Sequence, residues 1–458
     1  MPNLWDNAMV SAQTNQLDPR IWPQSATRTD AGEIAIAGIT VSQLVAQFGS
    51  PLFVLDEADV RARAKAYHAA FNDSEVVTEV FYAGKAFMAG KVIKWIVEEG
   101  LHVDVCTAGE LEVALRAGVA PERILFHGNN KSISELDRAV EVGVGRIVLD
   151  SFIEIERLAN IASAHGVTIQ VLIRLTVGVE AHTHEFISTA HEDQKFGLSI
   201  ASGAALEAAR MVIESDSLSL LGLHSHIGSQ IFDAQGFEIA AQRVFDTAVS
   251  IRETLDFTVP ELNLGGGMGI AYLGEDDPLH VEQMAKALHE IVIKECERVQ
   301  FPVPRLLVEP GRAIIGPAGI TVYEVGTIKD VEVSDDLARR YISVDGGMSD
   351  NIRTALYGAE YTVALASRNS SAELIDSRVV GKHCESGDIV IRDAQMFADI
   401  GPGDLLAVAA TGAYCRAMAS NYNHIVRPAV VSVLNGSSEV ILRRETIEDL
   451  LALDAGVN

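Results

Sequence analysis

Cysteine is scarce in this sequence and long apolar runs are missing. Four cysteines (Cys106, Cys296, Cys384 and Cys415) in 458 residues, none in CxxC spacing, exclude a disulfide-stapled scaffold and a structural zinc knot. No stretch has the length and apolarity of a membrane span. The first thirty residues lack a basic start followed by an apolar run, so no secretory leader is expected. Residues 1–30 read as a loosely ordered lead-in, and the expectation is a soluble, cytoplasmic protein. Positive charge is short as well: 36 Lys and Arg against 63 Asp and Glu leave a formal net charge of −27, with no basic stripe. That excludes nucleic acid and anionic membranes as partners. Any anion this chain binds must be held by local groups. Tandem repeats and low-complexity tracts are also missing.

What is present is an alternation. With 48% hydrophobic residues the chain can bury a sizeable core. Eight short β-rich runs (EVFYAGK, HVDVCT, RILFHG, RIVLD, QVLIRL, LLGLHSHIG, ELNLGGG and PRLLVEPG) begin near residues 79, 102, 123, 146, 170, 220, 261 and 304, with helical periodicity between them. After the first run, for example, Met88, Val92, Trp95 and Ile96 recur at helical spacing and Gly100 stands where a helix would end. Eight such units predict an α/β fold, a (β/α)8 TIM-like barrel, over residues 53–312. Beyond Arg312 the text changes to longer strands broken by Gly, Asp and Pro, which predicts a second, β-rich domain (sandwich- or barrel-like) over 313–458. The segment 31–52, with EIAIAGIT as a candidate strand, is expected to contribute to it.

In a barrel of this kind functional groups gather at the carboxyl ends of the strands. There the runs carry Lys85, Asp104, Arg174, His224 and His226, Gly265 to Gly267, Glu309 and Arg312. A lysine at a strand end either snorkels or pairs with an acid, or it is a Schiff-base nucleophile whose surroundings lower its pKa. LNLGGGMG, a strand running into three glycines, is a tight turn or a loop whose N–H groups approach a phosphate; its spacing is not the GxGxxG of a dinucleotide site. HSHIGSQ offers an imidazole at His226 for a ligand ring and a hydroxyl at Ser229 for a phosphate. Glu309 in EPGR needs a cationic or protonated partner, either a pyridinium nitrogen or an internal pair with Arg312 or Arg174. Taken together these residues outline pyridoxal phosphate at the barrel mouth. His182, His184 and His191 in AHTHEFISTAHEDQ lack the HExxH spacing, so no metal site is expected.

Over roughly residues 30 to 450 the sequence resembles the barrel-type (fold type III) pyridoxal-phosphate-dependent amino acid decarboxylases. YAGKA, HSHIGSQ, LGGGMG and EPGR occur in that family's order. The resemblance implies Lys85 as the lysine joined to the cofactor and His226 stacked on its ring. It also implies Ser229 with Gly265, Gly266 and Gly267 at the phosphate, Glu309 on the ring nitrogen, and Gly311, Arg312 and Tyr414 beside the cofactor. DGGMSDNIRTALYGAEY, HCESGD and TGAYCRAMASNYN resemble the branch acting on meso-diaminopimelate. There the residues matching Arg312, Arg353, Tyr357, Glu385 and Tyr414 grip the far amino acid end of the substrate. The HCESGD loop, with Cys384, comes from a second subunit, which implies a homodimer with shared active sites. Two positions depart from the family's pattern, Phe87 and Ile352, and neither removes a chemical group.

Arginines suit a distal carboxylate and Glu385 a distal ammonium, a pairing that favours diaminopimelate over ornithine or arginine. Cys384 and Lys85 are the candidates for the final proton donor, and the resemblance favours a role for Cys384; a plain buried cysteine is the alternative. Another enzyme of the same cofactor and fold, such as an arginine or ornithine decarboxylase or a racemase, and a non-catalytic relative remain as other readings.

Overall fold

Val, Ile and Leu crowd the eight apolar runs because a parallel strand inside a ring of helices is buried on both faces. In the computed structural model, which describes residues 15–179, 194–334 and 337–457, these runs become β1 (Thr78–Ala83), β2 (His102–Val105), β3 (Ile124–Phe126), β4 (Arg146–Leu149), β5 (Ile169–Thr176), β6 (Leu218–His224), β7 (Glu261–Asn263) and β8 (Arg305–Val308). Each pairs in parallel with the next, and β8 pairs with β1, so the barrel closes. Local sequence sets the intervening helices. Ser132 and Glu135 cap helix Ile133–Val142 reciprocally, and Gly143, at φ 76°, ends it in a left-handed turn. His182, His184 and His191 lie outside the described residues.

The barrel interior is layered. At its amino-terminal floor Arg146 grips Glu261 with two bonds, Nε to Oε2 at 2.7 Å and Nη2 to Oε1 at 2.8 Å, and reaches Glu79 at 3.0 Å. Arg305 closes the network on Glu79 and Glu261 at 3.1 and 3.2 Å. Above the floor Phe81, Leu125, Val148, Leu172 and Leu307 form a fully apolar layer. His102 sits between the two, 4.8 Å from the Phe81 ring, its Nδ1 buried without a hydrogen-bond partner among the described residues. Burial, aided by the charges of Arg123, Arg146 and Arg305, pushes its pKa down to about 4. The folded protein therefore holds His102 neutral while the unfolded chain protonates it below about pH 6.5. Stability from this residue is complete above that value and is lost as pH falls toward 4. We expect His102→Gln to lessen acid destabilisation between pH 6 and 4 by about 1–2 kcal/mol after allowing for solvent screening, read from urea midpoints across pH.

The chain divides into two units: Arg61–Gly269 with Asp277–Ile314, which holds the barrel, and Met1–Val60 with Ile270–Asp276 and Ile315–Asn458. In the second, the long strand Gly319–Ser334 pairs antiparallel with Leu52–Asp56, Leu337–Val344 and Leu405–Val408. Leu52–Asp56 also pairs in parallel with Ala429–Leu434. The amino-terminal strand of the main sheet is therefore Leu52–Asp56, in the unit that runs to Val60. EIAIAGIT instead supplies two strands, Ile34–Ile36 and Ile39–Thr40, of a small three-stranded sheet that Thr27–Arg28 completes. Its period-2 pattern is shorter, and a glycine turn at Gly38 folds it on itself. The lead-in is also more than a loose tail: Ile21 and Trp22 are only 2% and 1% exposed. No described helix is long and apolar enough to cross a membrane.

Candidate active site

Ionisable groups collect at the carboxyl end of the barrel. β1 stops at Ala83, and Gly84–Ala86 makes a single 3-10 turn that leaves Lys85 exposed at the rim instead of inside the core. Two contacts fix this turn: the Ala83 N–H donates to Pro310 at 3.1 Å, and the Tyr82 hydroxyl donates to the Phe87 carbonyl at 2.8 Å. Gly311 belongs to the same arrangement, since a Cβ there would lie 2.9 Å from that of Ala83. The EPGR loop after β8 thus packs against the lysine turn, and Lys85 and Glu309 share one rim.

Glu309 is 6% exposed and pairs with neither Arg312 nor Arg174. Its Oε1 accepts from His127 Nε2 at 2.8 Å and from Asn263 Nδ2 at 2.7 Å, and its Oε2 stands 3.5 Å from His224 Nε2. Burial by itself would raise this carboxyl, but His127 and His224 hold it well below the usual carboxylate range. His224 is pushed down to about 4 by burial and is neutral at pH 7. His127 and Asn263 close β3 and β7 inside the runs RILFHG and ELNLGGG; their place at a strand end was the signal that sequence reasoning passed over. The ligand atoms of His127, His224 and Glu309 lie within 4.8 Å of one another, spacing that would also suit a metal ion. At 2.8 Å from a carboxylate oxygen, His127 Nε2 is also placed to donate a hydrogen bond to it.

Asn263 ties this carboxylate to the glycine loop, because its Oδ1 accepts the Gly265 N–H at 2.8 Å. The loop lies flat against the next strand end: a Cβ on Gly266 would stand 2.0 Å from the Glu309 carbonyl oxygen, and Gly267 adopts φ 114°. Arg312 is 7% exposed and donates from Nη2 to Ser229 Oγ at 2.7 Å, which places it beside the glycine-loop side of the site. His226 lies two residues beyond the end of β6, half-buried. Its Nδ1 is shielded and has no hydrogen-bond partner among the described residues. Burial, then the charges of Lys85 and Arg174, keeps it well below the ordinary histidine value. Asp104, deep on β2, is raised by burial and by Glu309 against the pull of His127 and Lys85.

These residues fit pyridoxal phosphate. An ionised carboxylate with one oxygen saturated leaves the other for a protonated ring nitrogen, and the unsatisfied His226 is an uncharged imidazole for the ring. Ser229, Arg312 and the glycine loop are donors suited to a phosphate.

The other unit carries the remaining candidates. Arg353 opens the short helix Arg353–Tyr357 and is 7% exposed. Its Nη1 donates to the hydroxyls of Tyr272 at 2.9 Å and Tyr361 at 2.7 Å, and its guanidinium carbon lies 5.5, 5.8 and 5.7 Å from the rings of Tyr272, Tyr361 and Tyr414. Among the described residues no carboxylate stands within ion-pair distance of it. Tyr414 has φ 65°, a left-handed conformation that costs a non-glycine residue energy. Tyr357 is 64% exposed, and Cys384 and Glu385 are exposed as well, so Cys384 is not a buried structural cysteine. Tyr272 and Tyr361 carried no sequence signal, being ordinary aromatic positions until the fold brings them to Arg353.

The family described as pyridoxal-dependent decarboxylase, pyridoxal binding domain, matches residues 57–316. The diaminopimelate decarboxylase of Mycobacterium tuberculosis is 58% identical over 445 residues, 96% of this chain and 98% of its own. That of Bacillus subtilis is 45% identical over 423 residues, 92% of this chain and 95% of its own. The crystal structure of diaminopimelate decarboxylase from M. jannaschii in complex with L-lysine superposes with a TM-score of 0.86 at 30% identity, covering 94% of this chain and 97% of that one. With a family match over residues 57–316 and near full-length likeness in sequence and in fold, the chain belongs to the pyridoxal-dependent decarboxylases, in their diaminopimelate decarboxylase branch.

Proposed function

We propose that this enzyme removes one carboxylate from meso-2,6-diaminopimelate to give L-lysine and carbon dioxide, the last step of lysine biosynthesis, as a cytoplasmic homodimer with shared active sites. The observation that carries the substrate is Arg353, a permanent cation buried among tyrosines without an acidic partner among the described residues. A buried charge needs a counter-ion. Tyr272 and Tyr361 occupy Nη1 alone, which leaves the remaining guanidinium edge for a carboxylate. A diamine-forming decarboxylase would want acids at that end instead. Tyr357, Tyr414 and Glu385 complete the grip on the distal amino acid group in this reading.

Pyridoxal phosphate, when bound, supplies an aldehyde for the substrate amine and a protonated ring that takes up the electron pair left by departing carbon dioxide. Lys85 Nζ would be the amine that holds the aldehyde. Glu309 holds the proton at the ring nitrogen, because a neighbouring anion favours the charged form of the ring. Ser229, Arg312 and Gly265 to Gly267 bind the phosphate, with Gly311 allowing the close packing of the rim. His226, uncharged, would face the ring and exclude water from it. One proton must replace the lost carboxylate, and Cys384 Sγ from the second copy and Lys85 Nζ are the two groups that would supply it.

Incubation of purified protein with pyridoxal phosphate and meso-diaminopimelate is expected to release L-lysine and carbon dioxide, while L-ornithine, L-arginine and L-lysine are left unchanged. Preferential decarboxylation of any of those three would sink the assignment. For Arg353→Ala we expect KM for diaminopimelate to rise about a hundredfold with cofactor content unchanged, the size of a lost charge-assisted pair. Inhibition by L-lysine should weaken in step, and inhibition by cadaverine, which has no carboxylate, should not. Parallel loss of cofactor would make Arg353 a residue of the fold.

A further inference from the structure

HCESGD supplies Cys384 and Glu385, yet the same motif holds a histidine and an aspartate to which the reaction assigns nothing. In the fold, residues 384–387 are exposed between two buried posts, His383 at 7% and Asp388 at 3% exposure. The Asp388 carboxylate pairs with no lysine or arginine among the described residues. It is held by peptide N–H groups: Oδ1 accepts from Met348 at 2.6 Å and Oδ2 from His383 at 2.7 Å. Two glycines make room for it, since a Cβ on Gly347 or Gly381 would lie 2.4 or 2.2 Å from a carboxylate oxygen. His383 is fastened on both ring edges. Its Nε2 meets Ser349 Oγ at 2.8 Å and accepts the Ser349 N–H at 3.3 Å, and its Nδ1 lies 3.2 Å from Asn423 Oδ1. That same Asn423 oxygen accepts the Cys384 N–H at 3.3 Å. Tyr422 stacks on the imidazole with ring centroids 5.3 Å apart, and its hydroxyl reaches Glu385 Oε2 at 3.4 Å.

We infer that Asp388, His383 and Asn423 are positioning residues that latch three chain segments (345–351, 383–388 and 420–423) together and so fix where Cys384 and Glu385 are presented. Folding alone gives little reason for this arrangement. Burying a carboxylate and an imidazole costs more than burying apolar groups of the same size, and what the polar version adds is directionality. A proton donor and a charge partner on an exposed tip work only when held to within a fraction of an ångström, which a loop achieves through bonds at its base. The inference rests on the reading that Cys384 and Glu385 serve a shared site.

Asp388→Asn keeps the volume but sets an NH2 group against one of the two N–H donors, so one anchor is lost. The expected result for the full-length holoenzyme is a kcat at least about tenfold lower with unchanged cofactor absorbance, beside a thermal midpoint lowered by the lost anchor. Asn423→Ala should lower kcat about fivefold, and Asn423→Asp, which keeps the acceptor, should restore most of it. Co-expression separates a latch from a folding defect. Lys85→Ala chains keep an intact loop and Asp388→Asn chains keep an intact lysine, so mixed dimers with shared sites carry one complete site and the mixture regains about a quarter of wild-type activity. A kcat within twofold of wild type in both Asp388→Asn and Asn423→Ala overturns the latch. So does failure of Asp388→Asn to complement Lys85→Ala when Cys384→Ala complements it. If Cys384→Ala also fails, the shared-site reading falls, and the kcat and cofactor absorbance of the single variants still decide the latch.

Discussion

Lys85→Ala is expected to lower kcat by about a thousandfold or more and to abolish the borohydride-reducible bond between protein and cofactor, while the thermal midpoint stays close to wild type. The size follows from what the proposed function assigns to this residue, the amine that would anchor the aldehyde and a second source of the final proton. The stability expectation follows from its setting. Lys85 is exposed on a turn whose contacts are made by Ala83, Tyr82 and Gly311, so truncation opens no cavity. Asp104, Glu110 and His226 all feel its charge. With the ammonium gone, the two carboxyls should titrate higher and the imidazole less far below its ordinary value. Full-stoichiometry retention of a reducible adduct in the variant would show that another lysine does the work.

Glu309→Gln should lower kcat about a hundred- to a thousandfold with little loss of bound cofactor, measured by steady-state kinetics beside the visible absorbance. The amide can keep its oxygen where Oε1 now accepts from His127 and Asn263 at 2.8 and 2.7 Å. Its NH2 group then replaces Oε2, and a donor in that place suits an unprotonated ring nitrogen. The architecture of the site would survive while its ability to hold a proton on the ring would not. A kcat within threefold of wild type would mean that the ring does not depend on this carboxylate.

Much of the fold was legible because a parallel barrel repeats one physical solution. Every strand is buried on both faces and every helix is amphipathic, so the eight runs stood out and all eight became strands. The site was legible where chemistry is local. The YAGKA lysine and the EPGR glutamate fall at strand ends, and strand ends of such a barrel share one rim by topology. Partners were harder to see. Glu309 is clasped by His127 and Asn263, 182 and 46 residues away, and nothing in RILFHG or ELNLGGG distinguishes a clasping side chain from a packing one. The same holds for Arg353, whose tyrosines stand 81 and 8 positions off.

By itself the sequence determined the barrel and the β-rich second domain, since periodicity and residue chemistry act over a few positions. Tertiary structure alone decided which neighbours keep Glu309 ionised, that Arg353 is buried without an acid among the described residues, that Leu52–Asp56 and not EIAIAGIT joins the main sheet, and that the Asp388 carboxylate accepts the His383 N–H across the base of the Cys384 loop. Those are matters of dielectric, long-range register and hydrogen-bond geometry, and they exist only once distant segments meet.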